Sequence, residues 1–212
     1  NVPASSLQTY DQVKGLSEYA GILAENTILI DVDDYDQSET LFRIIDDLQL
    51  KCRVYETSRG KHFLFKNVTP DGITIQPTCK IKASLACGIQ ADIKVGCKNS
   101  YSILKYDGKD RRILYEIFDD EDYEPPPKWL TPIKYNAEFI TMEEGDGRNQ
   151  SLFNYILTLQ SYDFSIEQAR ETIRIINKYI LKDPLDDSEI DTIVRDEAFN
   201  KPVFFGKGGK FL

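Results

Sequence analysis

Short strand-like segments joined by turn residues fill the stretch between residues 53 and 117 of this 212-residue chain. Residues 53–57 and 62–66 flank the turn Ser58-Arg59-Gly60-Lys61, and Asp107-Gly108 is a second, strong hairpin signal. Tight turns of this kind join antiparallel strands, because a parallel pair needs a crossover of a dozen or more residues. The sequence therefore predicts a largely antiparallel sheet. The other predicted strands are residues 27–33, 72–76, 91–95, 101–106 and 111–117.

Two helical patterns accompany these strands in the first part of the chain. Residues 9–24 carry apolar side chains at helical spacing and predict an amphipathic helix. Asp36, with Glu39 three residues later, predicts the capped start of a second helix, whose buried stripe includes Leu41 and Ile45. Helices beside mostly antiparallel strands indicate an α+β domain over about residues 1–120.

The composition changes after residue 118. Residues 119–127 are acidic and then rich in proline, which predicts an extended, solvated connector over residues 121–140. The strand pattern stops there, and the following stretch predicts a small helical domain over residues 141–200, with residues 201–212 as the start of a further connector. The three helices predicted in it are residues 149–159, 165–181 and 188–198.

The charge of the chain is divided unevenly along its length. The net charge is −9, yet residues 51–112 carry 13 Lys or Arg against 5 Asp or Glu, a net of +8. The remainder of the chain therefore carries −17. Such a division predicts a basic working surface for an anionic ligand on an otherwise acidic body, although uneven scatter of surface charge is the simpler alternative.

The cysteines and the hydropathy pattern restrict the cellular setting. The four cysteines, Cys52, Cys79, Cys87 and Cys97, fit neither paired zinc-knuckle spacing nor a dense disulfide framework. We expect free thiols in a cytoplasmic protein, bacterial or of a host cell, with a three-cysteine metal site as the alternative. No apolar run approaches the roughly 20 residues that span a bilayer, so no membrane partner is expected.

Two aspartates stand at the end of the apolar segment 27–33. Asp31 and Asp33 are two residues apart, so on a strand their carboxylates point to the same face and repel each other unless a cation lies between them. Hard oxygen ligands of this kind suit Mg²⁺ or Mn²⁺. Aspartates also form turns at strand ends, and Asp34 and Asp36 are interpreted as turn and helix-cap residues. The spacing lacks the glycine and the third aspartate of an EF-hand loop.

The turn before the only histidine offers groups that bind phosphate. Ser58, Arg59 and Lys61 surround a glycine and precede His62, so the turn supplies backbone donors, two cations and an imidazole for a triphosphate. The plainer alternative is a basic hairpin turn with a half-buried histidine.

A third acid follows on a later strand. Asp92 shares a strand face with Lys94, so Asp92 is a candidate for completing a metal site and Lys94 for contacting phosphate or template. The alternative is a salt bridge at a strand edge, which stabilises little.

Other basic and aromatic residues are candidates for nucleic-acid binding. Arg111 and Arg112, with Ser100, Tyr101 and Lys105, are candidates for holding a template by charge and stacking. Arg148 and Asn149 begin a predicted helix, where they would contact nucleic acid or the 5′-triphosphate of a first nucleotide. A helix cap with a salt bridge explains Arg148 and Asn149 equally well.

The three motifs together resemble those of a known family. The order Asp31-x-Asp33, then Gly60-Lys61-His62-Phe63-Leu64-Phe65, then Asp92-Ile93-Lys94 resembles the motifs of archaeo-eukaryotic primases, most closely the primase-polymerase modules of phages, plasmids and mobile elements. The resemblance implies an RRM-like, mixed or antiparallel sheet with flanking helices. It also implies that Asp31, Asp33 and Asp92 bind the catalytic metals, Mg²⁺ or Mn²⁺, and that His62, with Ser58, Arg59 or Lys61, holds the incoming nucleoside triphosphate.

The second part of the chain carries a resemblance of its own. Asp146-Gly147-Arg148-Asn149, Asn177 and Asp183-Pro184-Leu185 resemble the helical C-terminal domain that follows such primase modules. Related phage proteins continue into a helicase. Because the chain begins at Asn1 without a methionine, we expect both ends to be cuts in a longer chain that includes a helicase domain.

These features predict a DNA primase that makes primers on a single-stranded DNA template from NTPs or dNTPs. An enzyme of the primase-polymerase type would also extend those primers. The alternative is a non-catalytic module that recognises template or origin DNA for an attached helicase. A rolling-circle initiator would need two metal-binding histidines, which a chain with one histidine does not have.

Overall fold

The computed structural model describes residues 6–96, 100–117, 123–135 and 138–199. The chain divides into two compact units, the first from residues 1–83 and 90–126 and the second from residues 84–89 and 127–212. Within the described residues the units contain five α-helices and antiparallel sheets. The predicted α+β class is therefore confirmed.

The first unit contains two antiparallel sheets and two helices. The larger sheet has the strand order β5-β6-β2-β4-β3-β9, and the smaller sheet has the order β1-β7-β8. The helices are α1 (Tyr10–Val13) and α2 (Tyr35–Leu48). The strands are β1 (Tyr19–Ile22), β2 (Thr27–Val32), β3 (Arg53–Glu56), β4 (Lys61–Lys66), β5 (Lys80–Leu85), β6 (Gln90–Val95), β7 (Tyr101–Tyr106), β8 (Lys109–Asp110) and β9 (Ile113–Glu116).

The larger sheet has one apolar face and one polar face. Ile30, Phe63 and Ile93 lie opposite one another on β2, β4 and β6 and are fully buried on the face that α2 covers. Neighbouring residues along each strand point to the other face, because side chains alternate in a strand. Asp31 and His62 therefore lie on the face opposite to α2.

Helix α2 begins two residues earlier in the acidic segment than the sequence predicts. Asp34, not Asp36, is the N-cap residue, and its carboxylate accepts a hydrogen bond from the backbone N–H of Gln37 at 2.9 Å. Asp36 lies in the first turn, where its negative charge is favoured by the helix dipole. With Asp34 used as the cap, only Asp31 and Asp33 of the acidic segment remain for a site.

Two predicted elements are wrong. Residues 9–24 do not form one helix: α1 ends at Val13, and β1 pairs with β7 in the smaller sheet. Two glycines in that segment weaken a helix, and long-range pairing outweighs the remaining helical periodicity. Residues 72–76 contribute one isolated bridge, between Val68 and Thr74, and the strand of this region is β5.

The second unit is mainly helical. Its helices are α3 (Arg148–Ser161), α4 (Ile166–Ile175), which continues into a π-helical turn (Ile176–Ile180), and α5 (Asp187–Ile193), followed by a 3-10 turn (Asp196–Phe199). Ser165 and Gln168 form the predicted capping box at the start of α4. A short strand, β10 (Pro132–Ile133), pairs with Ser84 and Leu85. The core of this unit includes Trp129, Leu152, Ile156, Ile173 and Ile190.

The predicted solvated connector over residues 121–140 is wrong where the structure describes it. The backbone of Glu124 bonds to Lys51 and Lys66 within the first unit. Trp129 and Leu130 are buried in the second unit. The proline-rich sequence thus folds against each unit, because the aromatic and aliphatic residues beside it bury apolar surface.

The structure also bears on the thiols and on membrane spanning. Cys52 and Cys87 are buried free thiols and Cys79 is an exposed one, while Cys97 lies outside the described residues, as do residues 201–212. Burial raises the pKa of Cys52 and of Cys87 to about 12, so neither thiol is a ready nucleophile. None of the helices in the described part of the chain has the length and apolar character needed to cross a bilayer.

Candidate active site

The strand register brings the three sequence motifs together in one row. Asp31 on β2 pairs with His62 on β4 on one side and with Asp92 on β6 on the other. Residues directly opposite in antiparallel strands share a face, with Cβ atoms about 4.5–5.5 Å apart. Two acids and the only histidine, separated by about thirty residues each along the chain, are therefore neighbours on the polar face of the larger sheet.

His62 is held between two partners. Its Nε2 lies 3.2 Å from Oδ1 of Asp31, and its Nδ1 lies 3.1 Å from Oγ of Ser102 on β7. All three residues are buried, with 7% of His62 exposed. The ionised Asp31 carboxylate can only accept, so Nε2 carries the proton in this arrangement.

Lys94 is the second partner of Asp31. Its Nζ lies 2.7 Å from Oδ2 of Asp31, so each carboxylate oxygen has its own partner. Burial by itself would raise the pKa of Asp31, but hydrogen bonds and attraction from His62 and Lys94 outweigh it and lower the pKa to about 2. Asp31 is consequently ionised at neutral pH.

Asp31 and His62 of this row line an open cleft of about 540 Å³ within the first unit. Asp33 lines the cleft and forms an ion pair with Arg59, whose Nη2 lies 2.8 Å from Oδ2 of Asp33. Six of the eight residues predicted as catalytic or nucleotide-binding line the cleft, namely Asp31, Asp33, Ser58, Arg59, His62 and Lys94. The other lining residues are Thr57, Ser100, Tyr101, Ser102, Ile103 and Arg111.

Gly60 is required at its position by a close approach of two backbones. A Cβ atom on Gly60 would lie 1.9 Å from the carbonyl oxygen of Val32, far inside van der Waals contact. The φ angle of Gly60 is not positive, so the close approach to Val32, and not a left-handed backbone, requires the glycine. The hydroxyl of Thr57 accepts a hydrogen bond from the N–H of Gly60 at 3.0 Å. The turn is thus fixed against the strand end that carries Asp31 and Asp33.

Asp92 stands beside Asp31 but is partly engaged elsewhere. Its Oδ1 accepts a hydrogen bond from the backbone N–H of Lys82 at 2.7 Å, and it does not line the cleft. Among the residues that the structure describes, no group of three or more His, Cys, Asp or Glu side chains is arranged to hold a metal ion. Each of the three aspartates has an internal partner instead.

Lys61 is not part of this site. It points to the opposite face of the sheet, where only 3% of it is exposed, and forms an ion pair with Glu39 on α2. Its ammonium group also lies 5.1 Å from the ring centre of Tyr35. Strand alternation thus places Lys61, predicted from the sequence as a nucleotide-binding residue, on the opposite face of the sheet from His62 and outside the cleft.

A second cleft of about 590 Å³ adjoins the first. Thr57, Ser58, Ile103 and Arg111 line both clefts. Arg111 donates hydrogen bonds to the carbonyl oxygens of Ile103 and Glu56, both at 3.2 Å. The second cleft is further lined by Glu56, Tyr106, Lys109, Asp110 and Arg112.

The predicted residues of the second unit have structural partners. Arg148 donates to the carbonyl oxygen of Asp183, and no bond of the Asn149 side chain is seen in the described residues. The buried amide of Asn177 clamps the backbone of Leu185, donating to its carbonyl oxygen at 3.0 Å and accepting from its N–H at 2.7 Å. The Asn177 and Asp183-Pro184-Leu185 motifs therefore form one turn-stabilising unit.

The sequence missed Thr57 and Ser102 as parts of the site. Thr57 follows the acidic end of β3 and precedes Ser58, so a search for hydroxyls beside the basic turn would have found it. Ser102 carries no such signal, since it lies forty residues from His62 on a strand of the other sheet.

The pH dependence of stability tests the Asp31 contacts. Because the pKa of Asp31 is lowered from 3.8 to about 2, its contribution to stability is present above about pH 4 and is lost as the pH falls through 2. The 10% exposure of its side chain leaves little solvent screening. Between pH 5 and pH 2, we expect the free energy of unfolding to fall by about 2 kcal/mol more for the wild type than for Asp31→Asn. Urea unfolding without divalent metal measures both. Parallel curves for the two proteins would contradict the contacts.

Comparison with known proteins does not assign a family or a function to the chain. No protein-family model matches it, and neither a curated protein nor a solved structure does. The row of Asp31, His62 and Asp92 and the cleft beside it are therefore what bears on function.

Proposed function

We propose that this chain is a template-dependent nucleotidyltransferase, a DNA primase of the primase-polymerase type that acts in replication of a phage or other mobile element. The reaction joins a nucleoside monophosphate to a 3′-hydroxyl and releases pyrophosphate. The proposal extends the α+β fold to an RRM-like primase core, followed by a primase C-terminal helical domain and, in a longer chain, a helicase.

One observation carries the proposal. Three motifs whose order resembles that of primases meet at one cleft, because Asp31 is paired in register with both His62 and Asp92. A resemblance of short motifs alone is weak, since Asp-x-Asp and Gly-x-His are common. Chance motifs would be scattered over the sheet, and these lie in adjacent strands on one face.

The basic groups of the cleft suit a triphosphate. Arg59, Lys94 and His62 line the same cleft, where Arg59 contacts Asp33 and the other two contact Asp31. A triphosphate would offer them new anionic partners, and the hydroxyl of Ser58 lies on the same wall. These groups would hold and orient the phosphates, which supplies much of the catalysis in phosphoryl transfer.

The carboxylate oxygens of the site are the kind of donor atom that a hard divalent cation prefers. Asp31, Asp33 and Asp92 would hold Mg²⁺ or Mn²⁺, and Asp31 needs no deprotonation because its pKa is about 2. When bound, the metal neutralises charge on the phosphates and activates the attacking oxygen. Asp31 and Asp33 would be released from Lys94 and Arg59 as those side chains turn to phosphate.

The second cleft suits a nucleic-acid strand. It continues from the first cleft and presents Lys109, Arg111 and Arg112, with Tyr106 exposed between them. Cations contact the phosphate backbone and an exposed ring stacks on a base, which together bind single strands without reading sequence. Glu56 and Asp110 in the same lining are engaged by Arg112 and by the hydroxyl of Tyr19. The single-stranded template would therefore run from this cleft to the nucleotide.

A second candidate function is favoured by the engaged carboxylates. Because Asp31, Asp33 and Asp92 all have internal partners, the same surface would serve a module that binds template or origin DNA without synthesis. Such a module needs the basic residues of the second cleft but neither aspartate of the first. The two functions differ in one product, a newly made oligonucleotide.

Incubation with single-stranded DNA, labelled nucleotides and Mg²⁺ or Mn²⁺ separates the two functions. A primase gives labelled oligonucleotides that require both template and divalent cation. A binding module gives no product although the protein retains affinity for single-stranded DNA. The assay uses NTPs and dNTPs in parallel, so that either preference is detected.

Arg59 and Lys61 form a matched pair for testing the nucleotide site. Both are cations of the same turn, but Arg59 lines the cleft and Lys61 lies on the opposite face of the sheet. We expect Arg59→Gln to weaken binding of a nucleoside triphosphate about tenfold, the loss of one charge-assisted hydrogen bond. Lys61→Gln should leave that affinity within about twofold and lower thermal stability. Isothermal titration calorimetry measures the affinities, and the reverse order would place the site on the other face.

A further inference from the structure

His62 links the two sheets of the first unit. It lies on β4 of the larger sheet, and its ring reaches Ser102 on β7 of the smaller sheet. Ser102 is 5% exposed and its backbone pairs with Gly21 on β1. Asp31, His62 and Ser102 all line the cleft, and the imidazole has one partner on each ring nitrogen.

The two partners of His62 have different roles. Asp31 fixes the proton on Nε2, since a carboxylate ionised at neutral pH can only accept. Ser102 holds Nδ1, and its hydroxyl either donates to a neutral ring or accepts from a protonated one. If Asp31 held a divalent cation in the proposed reaction, Ser102 would be the partner that keeps the ring in place.

We propose that Ser102 is a positioning residue for His62, one that fixes the imidazole so that its Nε2–H points at the phosphates of a nucleoside triphosphate. This inference rests on the proposed function for its ligand, but the contact between the two side chains does not. Nothing in the three sequence motifs includes Ser102.

A nucleophilic role for Ser102 fits the structure less well. The order of carboxylate, imidazole and hydroxyl matches the groups of a serine hydrolase. Such a nucleophile is exposed at the end of a strand or in a turn, whereas Ser102 is buried within β7 between Tyr101 and Ile103. A fixed hydroxyl in a strand suits holding a ring better than attacking a substrate.

The single histidine makes the inference directly measurable. His62 is the only histidine of the chain, so in a protein made without a histidine tag both ring ¹⁵N resonances belong to it. Ser102→Ala removes the partner of Nδ1, and Ser102→Thr keeps a hydroxyl in a residue that strands favour. Ser84→Ala is the control, because Ser84 is also a buried strand serine and its hydroxyl has no hydrogen-bond partner among the residues that the structure describes.

At a fixed pH and without metal, we expect Ser102→Ala to shift the ¹⁵N resonance of Nδ1 more than that of Nε2. Ser102→Thr and Ser84→Ala should leave both close to the wild-type values. Unchanged ring resonances in folded Ser102→Ala would overturn the inference. Circular dichroism confirms the fold of each variant.

Nucleotide binding then tests what the positioned ring does. We expect Ser102→Ala to weaken binding of a nucleoside triphosphate with Mg²⁺ about three- to tenfold, and Ser102→Thr to restore it. Equal affinity of Ser102→Ala and wild type would overturn the positioning role. A wild type that binds no nucleotide, while the Nδ1 resonance still responds to Ser102→Ala, would instead overturn the proposed function and leave the contact established.

Discussion

Replacing both Asp31 and Asp33 by asparagine is expected to lower the rate of primer synthesis by about a thousandfold or more. The double variant keeps the shape of both side chains but removes the two negative charges at the end of β2 that would hold a divalent cation. A bound metal stabilises the transition state of phosphoryl transfer by several kcal/mol, and each 1.36 kcal/mol is a factor of about ten in rate. Labelled oligonucleotide formed on single-stranded DNA measures the rate.

Asp36→Asn is the matched control for this experiment. Asp36 is an exposed aspartate of the same acidic segment, lies in the first turn of α2 and does not line the cleft. It should retain synthesis at the wild-type rate. The double variant should bind single-stranded DNA at least as well as wild type, because two negative charges are removed. Synthesis that persists in the double variant would show that the carboxylates of β2 are not the catalytic ones.

Gly60→Ala is expected to lower the free energy of unfolding by about 3 kcal/mol and to abolish nucleotide binding. The added Cβ atom would meet the carbonyl oxygen of Val32 at 1.9 Å, and a backbone atom in a sheet cannot turn aside as a side chain can. Overpacking of this kind costs about 1–3 kcal/mol. The turn must then move away from β2, which separates Ser58 and Arg59 from Asp33. Urea unfolding and calorimetric nucleotide binding measure the two effects.

Gly15→Ala separates this clash from the general effect of replacing a glycine. A Cβ atom on Gly15 meets no other atom within 4 Å, and the φ angle of Gly15 is not positive. We expect its stability to change by less than about 0.5 kcal/mol and its nucleotide affinity to stay unchanged. Equal effects of the two substitutions would mean that the turn does not pack against Val32 as described.

Local sequence signals predicted much of the sheet that carries the site. β2, β4, β6 and β7 lie within a residue or two of their predicted ranges, because alternation and turn residues are encoded locally. The period of two along a strand also predicted correctly that Asp92 and Lys94 share a face. The pairing of Asp31 with both His62 and Asp92 is a matter of register, which no local pattern fixes.

Other features depend on contacts that no local pattern contains. Lys61 was assigned to the site because it adjoins His62 in sequence, and adjacency in a strand is the reason that it faces Glu39 instead. β1 was predicted as helix because its pairing with β7 joins residues about eighty positions apart. Ser102 was missed for the same reason, since its meeting with His62 exists only once both sheets have formed.

The two units do not divide the chain at a single point, since residues 84–89 belong with residues 127–212. The helices of the second unit were predicted correctly because apolar periodicity and the Ser165 capping box are local signals. The assignment of residues 84–89 to that unit had no signal in the sequence. The buried hydroxyl of Tyr155, which donates to the carbonyl oxygen of Ala86 at 2.7 Å, is one of the contacts that hold this segment.

Synthesis on homopolymeric templates tests the central claim most directly. The wild-type protein is incubated with Mg²⁺ or Mn²⁺, an oligonucleotide of dT or of dC, and each labelled nucleotide in turn. The proposed primase should make labelled oligonucleotides from adenine nucleotides on the dT template and from guanine nucleotides on the dC template. The claim would be contradicted by a protein that binds both templates and nucleoside triphosphates yet forms no product, or whose product does not follow the template.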